Sequence, residues 1–283
     1  MTGDASRSVS SEPLSVTLLG CGKMGAAMLR FWLEKNTISC VRVIDTKPIP
    51  DVFHAERRVV YGSLSNIPAA FESDILVAAV KPQDISTALA PIAHKISDTC
   101  CVVSIAAGKS LESLSACLRE NQPLIRAMPN TPAAVGEGAC VAIANDFVSD
   151  YQRAQVSALM DALGDLHWID DERLMNAVTA LSGSGPAYVF YLIEALAKAG
   201  KDMGLPEGLA MSLARQTVIG SAALAKRDCD IPAARLRENV TSPGGTTQAA
   251  LDIIMDGRLD ALLRDASFAA HKRGEDLNKN SLV

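Results

Sequence analysis

Three closely spaced glycines near the start of the chain restrict its fold more than any other feature. Gly20, Gly22 and Gly25 follow an apolar run that begins at Val16, and a helical pattern comes directly after them. With this spacing, the first glycine permits a tight turn, the second lets a pyrophosphate approach the backbone, and the third lets a helix pack on a strand. The helix N-terminus then offers free N–H groups to the phosphates. The pattern predicts a Rossmann-type domain that binds a dinucleotide through Gly20, Cys21, Gly22, Lys23, Met24 and Gly25.

An acidic residue after the loop supports this interpretation. Asp45 lies about twenty residues beyond the last glycine, at the end of the second apolar run, where a carboxylate accepts from a ribose 2′-hydroxyl. A carboxylate also repels a 2′-phosphate. Lys47, Arg57 and Arg58 are near enough in sequence to fold back toward such a phosphate, although cations here are equally typical of a solvated edge. The expected cofactor is NADPH or NADH, with a slight preference for NADH.

Short apolar runs alternate with helical patterns in the first half, which predicts parallel strands joined by crossover helices. The predicted strands are Val16 to Leu19, Val41 to Ile44, Val59 to Tyr61, Ile75 to Val80, Cys101 to Ile105 and Leu124 to Ala127. After about Glu172 the strand-like runs end and Ala- and Leu-rich helical segments follow. We expect an α/β fold, with an N-terminal Rossmann-type doubly wound sheet and an all-α C-terminal domain. The expected limits are a disordered tail at 1–14, the dinucleotide-binding domain at 15–171 and the helical domain at 172–283.

Charge, cysteine usage and hydropathy exclude several classes of protein. The formal charge is only −5 and the 27 Lys and Arg residues are scattered, so no nucleic-acid partner is expected. The seven cysteines contain no CxxC pair and the four histidines are isolated, so neither a disulfide framework nor a metal site is expected. No apolar segment approaches the roughly 18 residues that a membrane-spanning helix needs. We expect a cytoplasmic protein with no membrane partner.

Loops that follow strands are the next candidates, because ligands of open α/β sheets bind outside the carboxyl ends of the strands. Val80, Lys81 and Pro82 follow the fourth predicted strand, and Ala106 follows the fifth. The sixth leads into a Met-Pro-Asn-Thr-Pro segment, in which two prolines stiffen the chain around Asn130. This loop either lines a nicotinamide pocket or is a plain turn.

Two glycine-rich loops precede helices in the second half. One runs from Ser182 to Pro186, and the other is Thr-Ser-Pro-Gly-Gly-Thr-Thr, from Thr241 to Thr247. Paired glycines before a helix leave backbone N–H groups open to an anion, and the flanking hydroxyls add donors, so the second loop suits a small carboxylate. A glycine loop with Thr246 as an ordinary helix cap would show the same pattern.

These motifs together resemble the pyrroline-5-carboxylate reductase family. The resemblance covers Val16 to about Leu277 and includes the glycine loop, the AVKP, MPNTP and SGSGPAY segments, and especially ENVTSPGGTTQAAL, the signature region of the family. It implies NAD(P)H-dependent reduction of the cyclic imine acid pyrroline-5-carboxylate to proline. It further implies that the substrate carboxylate is held by Ser242, Gly244, Gly245, Thr246 and Thr247.

The resemblance also implies that the Thr247 hydroxyl hydrogen-bonds the ring nitrogen, so Thr247 is the expected catalytic residue. No histidine or carboxylate in the signature loop is an obvious acid, and we expect the imine to bind already protonated or to gain its proton through water. The family forms interlocked homodimers, often within larger rings, so the helical domain is expected to serve dimerisation and substrate binding. Each pocket can then combine one subunit's Rossmann domain with its partner's helices.

Two alternatives predict different features. A β-hydroxyacid dehydrogenase shares the order of domains but needs a lysine in the first turn of the long helix, where this chain has Val189. A regulatory protein that senses a dinucleotide without turnover would not need the residues of the carboxylate loop.

Overall fold

The computed structural model describes residues 14–63 and 72–279, and the chain divides into two compact units. The first contains the described residues up to Gly183 together with 271–279, and the second is Ser184–Ala270. The expected tail lies outside the described residues except for Leu14. This residue belongs to the first strand instead, because its side chain is buried and its N–H donates to the carbonyl of Thr37 at 3.1 Å.

The first unit contains an eight-stranded sheet in the order β3-β2-β1-β4-β5-β6-β7-β8. Its strands are β1 Leu14–Leu19, β2 Ile38–Ile44, β3 Val59–Gly62, β4 Ile75–Ala78, β5 Cys101–Ser104, β6 Leu124–Pro129, β7 Gly138–Ala144 and β8 Gly164–Trp168. Neighbouring strands are parallel except β6 and β7. All six predicted strands are therefore present, and the order of β1 to β6 is that of a doubly wound dinucleotide-binding sheet.

The central strands are mostly apolar because helices cover both faces of the sheet. Within the described residues, the helices are α1 Lys23–Glu34, α2 Ile85–Leu89, α3 Leu111–Ser115, α4 Asp150–Asp161, α5 Met175–Val178, α6 Gly185–Asp202, α7 Glu207–Arg227, α8 Ala233–Asn239, α9 Thr246–Ile254 and α10 Arg258–Lys279. Val77 and Val103 belong to the apolar cluster that contains α1 and α4 residues, whereas Leu76 and Val102 belong to the cluster that contains α2 and α3 residues. Successive residues of one strand thus serve opposite faces.

Sequence reasoning missed β7 and β8. β7 runs antiparallel to β6, so no crossover helix separates the two and the alternation of strand with helix stops there. β8 is the five-residue segment Gly-Asp-Leu-His-Trp, which is too polar to show a continuous apolar run. Its start is close to β7, because a Cβ on Gly164 would overlap the backbone of Gly138. The backbone approach that joins this strand to the sheet depends on glycine.

The segment after residue 172 stays with the sheet, although the helical domain is expected to begin there. Arg126 on β6 forms an ion pair with Glu172 at 2.7 Å, and the side-chain amide of Asn130 donates to the carbonyl of Ser182 at 3.1 Å. These bonds tie the chain to the sheet as far as a π-helical turn at Thr179–Gly183. The two compact units consequently divide after Gly183.

The second unit is entirely helical, and prolines stand at or before the first turns of α6, α7 and α8, where proline is tolerated. Its buried residues are all small: Ala197, Gly200, Ala210 and Ala214. Many of its large apolar side chains are exposed, among them Phe190, Tyr191, Leu213, Ile253, Leu262 and Phe268. Such a unit lacks the buried apolar area that stabilises an isolated domain. No helix within 14–63 and 72–279 is both long and apolar enough to cross a membrane.

Candidate active site

The glycine loop between β1 and α1 has the geometry that its spacing predicts. Gly20 has a φ of +94°, which favours glycine, and its N–H donates to the carbonyl of Ile44 at 2.8 Å. A Cβ on Gly25 would overlap the carbonyl oxygen of Gly20, so only glycine lets α1 start this close to the strand. The first and third glycines therefore shape the turn and the packing.

Gly22 differs from both, because a Cβ at this position would meet no protein atom within 4 Å. It is the N-cap of α1, and no side chain caps the helix or places an acid in its first turn. The N–H groups of Lys23, Met24 and Gly25 thus have no protein acceptor among the described residues, and they point out of a helix start with positive dipole character. This open space fits a bound pyrophosphate.

Cys21 lies inside the loop and is a structural residue. Its side chain is buried, and burial, followed by the nearby Asp45 carboxylate, raises the pKa of the thiol to about 11. The thiol therefore stays protonated and unreactive at neutral pH. Its contribution to the loop is its backbone N–H, which donates to Asp45 Oδ2 at 2.6 Å.

Asp45 follows β2 and is held on both carboxylate oxygens. Oδ2 accepts from Cys21, and Oδ1 accepts from the backbone N–H of Lys47 at 2.9 Å. An ionised carboxylate has about four lone-pair sites, so it can still accept from a ribose hydroxyl. Asp45 opens on a cleft of about 330 Å³ that is lined by Leu19, Gly20, Ile44, Asp45, Thr46, Val80, Asp84, Thr87 and Ala88.

Asp84 and Thr87 in this cleft were missed by sequence reasoning. They come from the 3₁₀ turn Pro82–Asp84 and from α2, immediately after the AVKP segment at the carboxyl end of β4. The available signal was their position, since residues just beyond a strand end of such a sheet belong to the ligand edge. Val80 reaches the cleft and Lys81 is exposed.

Two further predicted cofactor residues are held by the protein itself. Ala106 is 3% exposed and its N–H donates to Ser104 Oγ at 3.3 Å. The amide of Asn130 donates to Ser182 and accepts from the N–H of Ala139 at 2.9 Å. Asn130 therefore joins β6, β7 and the π-helical turn, and Thr131 after it begins a 3₁₀ helix.

The signature loop of the second unit is a tight turn before α9. The N–H of Gly245 donates to the carbonyl of Ser242 at 3.0 Å, Pro243 and Gly244 are the central residues, and Gly244 has a φ of +70°. This is the type II arrangement, which requires glycine at its third position. A Cβ on Gly245 would displace the Ser242 hydroxyl, so Gly244 is required by its backbone conformation and Gly245 leaves room for the Ser242 side chain.

The turn leaves a set of donors without protein partners. Gly245, not Thr246, is the N-cap of α9, and no side chain caps the helix. The N–H groups of the first helical turn accordingly have no acceptor among the described residues. The hydroxyls of Ser242, Thr246 and Thr247 also have no hydrogen-bond partner within residues 14–63 and 72–279. Backbone and hydroxyl donors at a helix N-terminus form a suitable site for a carboxylate.

The described residues bring no three His, Cys, Asp or Glu side chains together as a metal site would require. The titratable groups of the two sites are the Asp45 and Asp84 carboxylates of the cleft, and the signature loop itself contains none. The arrangement offers anion and hydroxyl recognition, and a redox reaction would need its electrons from a bound cofactor.

Two family models match the chain. One is described as pyrroline-5-carboxylate reductase dimerisation and covers residues 172–277, and the other is described as NADP oxidoreductase, coenzyme F420-dependent, and covers residues 15–108. The first matches the segment that contains the helical second unit and the signature loop. The second matches the glycine loop and the β4 edge.

Pyrroline-5-carboxylate reductases of several organisms are similar to this chain over nearly its whole length. A pyrroline-5-carboxylate reductase of Pseudomonas aeruginosa is 41% identical, over 93% of this chain and 96% of its own. The solved structure of a pyrroline-5-carboxylate reductase from Coxiella burnetii is similar with a TM-score of 0.87 at 31% identity, over 94% of this chain and 99% of that one. Plasmodium falciparum pyrroline carboxylate reductase, solved with NADP bound, has a TM-score of 0.78 at 28% identity, over 95% and 100% of the two chains.

Proposed function

This chain belongs to the pyrroline-5-carboxylate reductase family, and from that premise we propose that it reduces pyrroline-5-carboxylate to proline with NAD(P)H. The signature turn and the uncapped start of α9 carry the proposal, because they bring backbone and hydroxyl donors together where a small carboxylate can bind. The reaction is the last step of proline biosynthesis.

The first unit would hold the cofactor. Gly22 leaves room at the start of α1 for a pyrophosphate, and Asp45 presents an acceptor for a ribose hydroxyl. When bound, the reduced nicotinamide supplies a hydride. Val80, Lys81, Pro82, Ala106 and Asn130 remain proposed neighbours of the cofactor. Ala106 and Asn130 would act mainly by shaping the edge of the sheet, since their polar groups are bonded within the protein.

The second unit would hold the substrate carboxylate. The N–H groups of Thr246 and Thr247 and the hydroxyl of Ser242 supply donors, while Gly244 and Gly245 allow the turn that exposes them. Charge-assisted hydrogen bonds of this kind are short and strong. They would orient the ring so that its imine carbon faces the hydride donor, which lowers the entropic part of the barrier.

The imine must be protonated for its carbon to accept a hydride efficiently. The signature loop contains no acid of suitable pKa, so the substrate enters as its iminium or gains a proton from water. The hydroxyl of Thr247 then orients the ring nitrogen instead of acting as a strong acid. Hydride addition to carbon and the proton on nitrogen together complete the secondary amine of proline.

The protein is a homo-oligomer, and we propose a homodimer or a larger ring built from dimers. The helical unit supports this, because its buried residues are all alanine or glycine while many of its large apolar side chains are exposed. A second copy of the same unit would cover them, as obligate interfaces do. All seven cysteines are free thiols, which supports a reducing cytoplasm as the location.

The alternatives have less support. At the start of α6, Val189 occupies the position of the lysine that a β-hydroxyacid dehydrogenase needs, and similarity to pyrroline-5-carboxylate reductases extends over both units. A sensor without turnover remains testable. Purified protein should oxidise NADH or NADPH on addition of pyrroline-5-carboxylate and form proline in equal amount. Tight cofactor binding without proline would contradict the proposal.

Thr247→Val should reduce kcat/KM for pyrroline-5-carboxylate about 10- to 100-fold, because a hydrogen bond to a charged group contributes about 1.5–3 kcal/mol. Valine keeps the size and β-branching of threonine but removes the hydroxyl. Steady-state kinetics measures the effect, and calorimetric NADH binding should stay unchanged. Thr247→Ser keeps the hydroxyl and is the matched control, expected within about threefold of the parent enzyme. Full turnover of Thr247→Val with unchanged KM would rule out this role.

A further inference from the structure

The cleft beside Asp45 is acidic. Of the residues that line it, Asp45 and Asp84 are charged and both are carboxylates, while the polar lining residues Thr46 and Thr87 are neutral. Asp45 is held in one orientation by two backbone N–H groups. The 2′-phosphate of NADPH carries about two negative charges near neutral pH, so it needs a cation or several donors at this place.

Arg58 is unable to serve as that cation without breaking its own bonds. Its guanidinium donates to both carboxylate oxygens of Glu56 at 3.0 and 3.1 Å, to Asn36 Oδ1 at 3.0 Å and to the carbonyl of Leu33 at 3.2 Å. Both members of the Arg58–Glu56 pair are 29% exposed. The arginine thus joins the end of α1 to the start of β3. These bonds argue against the possibility that Arg58 folds back onto the cofactor.

The remaining cations nearby are Lys47, Arg57 and Lys81, all exposed and none of them part of the lining of the cleft. The carbonyl of Lys47 accepts from the hydroxyl of Tyr61 at 2.9 Å, which holds its backbone at the end of β3. The sequence of residues 64–71, Leu-Ser-Asn-Ile-Pro-Ala-Ala-Phe, contains no Lys or Arg. Among the described residues, the lining of the cleft contains no cation that would balance Asp45 and Asp84.

We propose that this enzyme prefers NADH and that Asp45 and Asp84 together set the preference. Asp45 accepts from a ribose hydroxyl, and Asp84, which enters the same cleft from the turn after β4, adds a second negative charge that opposes a 2′-phosphate. The inference rests on the proposed function for its biological meaning. Its physical content concerns only the adenosine half of the cofactor, so that half can be tested without the imine.

Isothermal titration calorimetry with ADP-ribose and 2′-phospho-ADP-ribose tests the proposal on the full-length protein. These probes lack nicotinamide, so the result is independent of turnover. ADP-ribose should bind at least tenfold more tightly. Equal binding, or tighter binding of the phosphorylated probe, would overturn the proposal. A protein that shows the expected ratio but never reduces pyrroline-5-carboxylate would contradict the function alone.

Three variants test which residue is responsible for the preference for ADP-ribose. Asp84→Asn should strengthen binding of 2′-phospho-ADP-ribose about three- to tenfold and leave ADP-ribose unchanged. Asp45→Asn should bring the affinities for the two probes still closer together. It should also weaken the binding of ADP-ribose, because the change removes the charge and half of the acceptor capacity of the side chain. Asp51→Asn is the matched control, because Asp51 lies in the 3₁₀ turn Asp51–Phe53 outside the cleft. It should change the binding affinity of neither probe. If the ratio of the affinities for ADP-ribose and 2′-phospho-ADP-ribose were the same in Asp84→Asn as in Asp51→Asn, Asp84 would have no part in the preference.

Lys47→Ala separates the proposal from its main competitor. If Lys47 reached into the cleft to bind a 2′-phosphate, its removal would weaken 2′-phospho-ADP-ribose selectively. We expect instead that both probes bind within about twofold of the parent protein. A selective loss of tenfold or more would locate the phosphate at Lys47 and overturn the preference for NADH.

Discussion

Gly22→Ala should abolish tight NAD(P)H binding without destabilising the protein. A Cβ at Gly22 meets no protein atom within 4 Å, and the backbone there has a φ of −69°, which alanine adopts freely. The free energy of unfolding should therefore change by less than about 1 kcal/mol, since the lower entropy of the unfolded chain offsets the weaker N-cap. The added methyl group occupies the space in which the pyrophosphate would lie. We expect NADH affinity to fall about 30-fold or more, a change of roughly 2 kcal/mol.

Gly25→Ala, three residues along the same loop, is the contrasting variant. Its Cβ would overlap the carbonyl oxygen of Gly20, so the strand and helix must separate before any cofactor binds. We expect a loss of about 1–3 kcal/mol in unfolding free energy together with the loss of NADH binding.

Urea unfolding at one fixed protein concentration and calorimetric titration with NADH measure the two effects separately, the fixed concentration being needed because the protein is oligomeric. If Gly22→Ala bound NADH within threefold of the parent protein, the pyrophosphate would not lie at the start of α1. If both variants lost stability equally, the assignment of packing to Gly25 and ligand approach to Gly22 would be wrong.

Glu172→Ala should lower the free energy of unfolding by about 3 kcal/mol. The Arg126 side chain on β6 is 4% exposed, and Glu172 is its hydrogen-bond partner at 2.7 Å; the same Glu172 oxygen accepts from the N–H of Leu111 at 2.8 Å. Removing the carboxylate leaves a buried guanidinium and a backbone donor unpaired. We take the lower end of the usual range because Glu172 is 29% exposed and water can reach the vacated position.

Arg173→Ala is the matched control for this loss. Arg173 pairs with Asp171 at 2.9 Å in the same segment, but its side chain is 90% exposed, and water screens such pairs so that they contribute little to stability. Chemical denaturation of the two variants under identical conditions makes the comparison. The double variant Arg126→Met, Glu172→Leu should recover most of the lost stability, because apolar residues replace a buried pair with little cost. A Glu172→Ala protein as stable as Arg173→Ala would show that water, not Glu172, satisfies Arg126.

Much of the first unit was predictable because its signals are local. A glycine spacing specifies backbone geometry over a few residues, and the apolar runs that become β1, β2 and β4 to β6 lie between two covered faces. β7 escaped prediction because antiparallel pairing with β6 ends the alternation of strand and helix, and that pairing is a property of the assembled sheet. The predicted start of the helical domain at 172 differs from the compact division after Gly183, and long-range bonding is again the reason. Glu172 and Ser182 bond to residues that lie in β6 or directly after it, far away in the sequence.

The candidate sites divide in the same way. The sequence alone determined the glycine loop and the signature turn, because both depend on the conformations available to glycine and proline at adjacent positions. The resemblance of its motifs also identified the family. Only the tertiary structure decided which side chains are free to act. Arg58 is held by Glu56 and by Asn36 in the turn after α1, and Asp84 reaches the cleft of Asp45 from the turn after another strand. Hydrogen bonding and charge depend on distances between residues far apart in the chain, and these distances exist only once the sheet has formed.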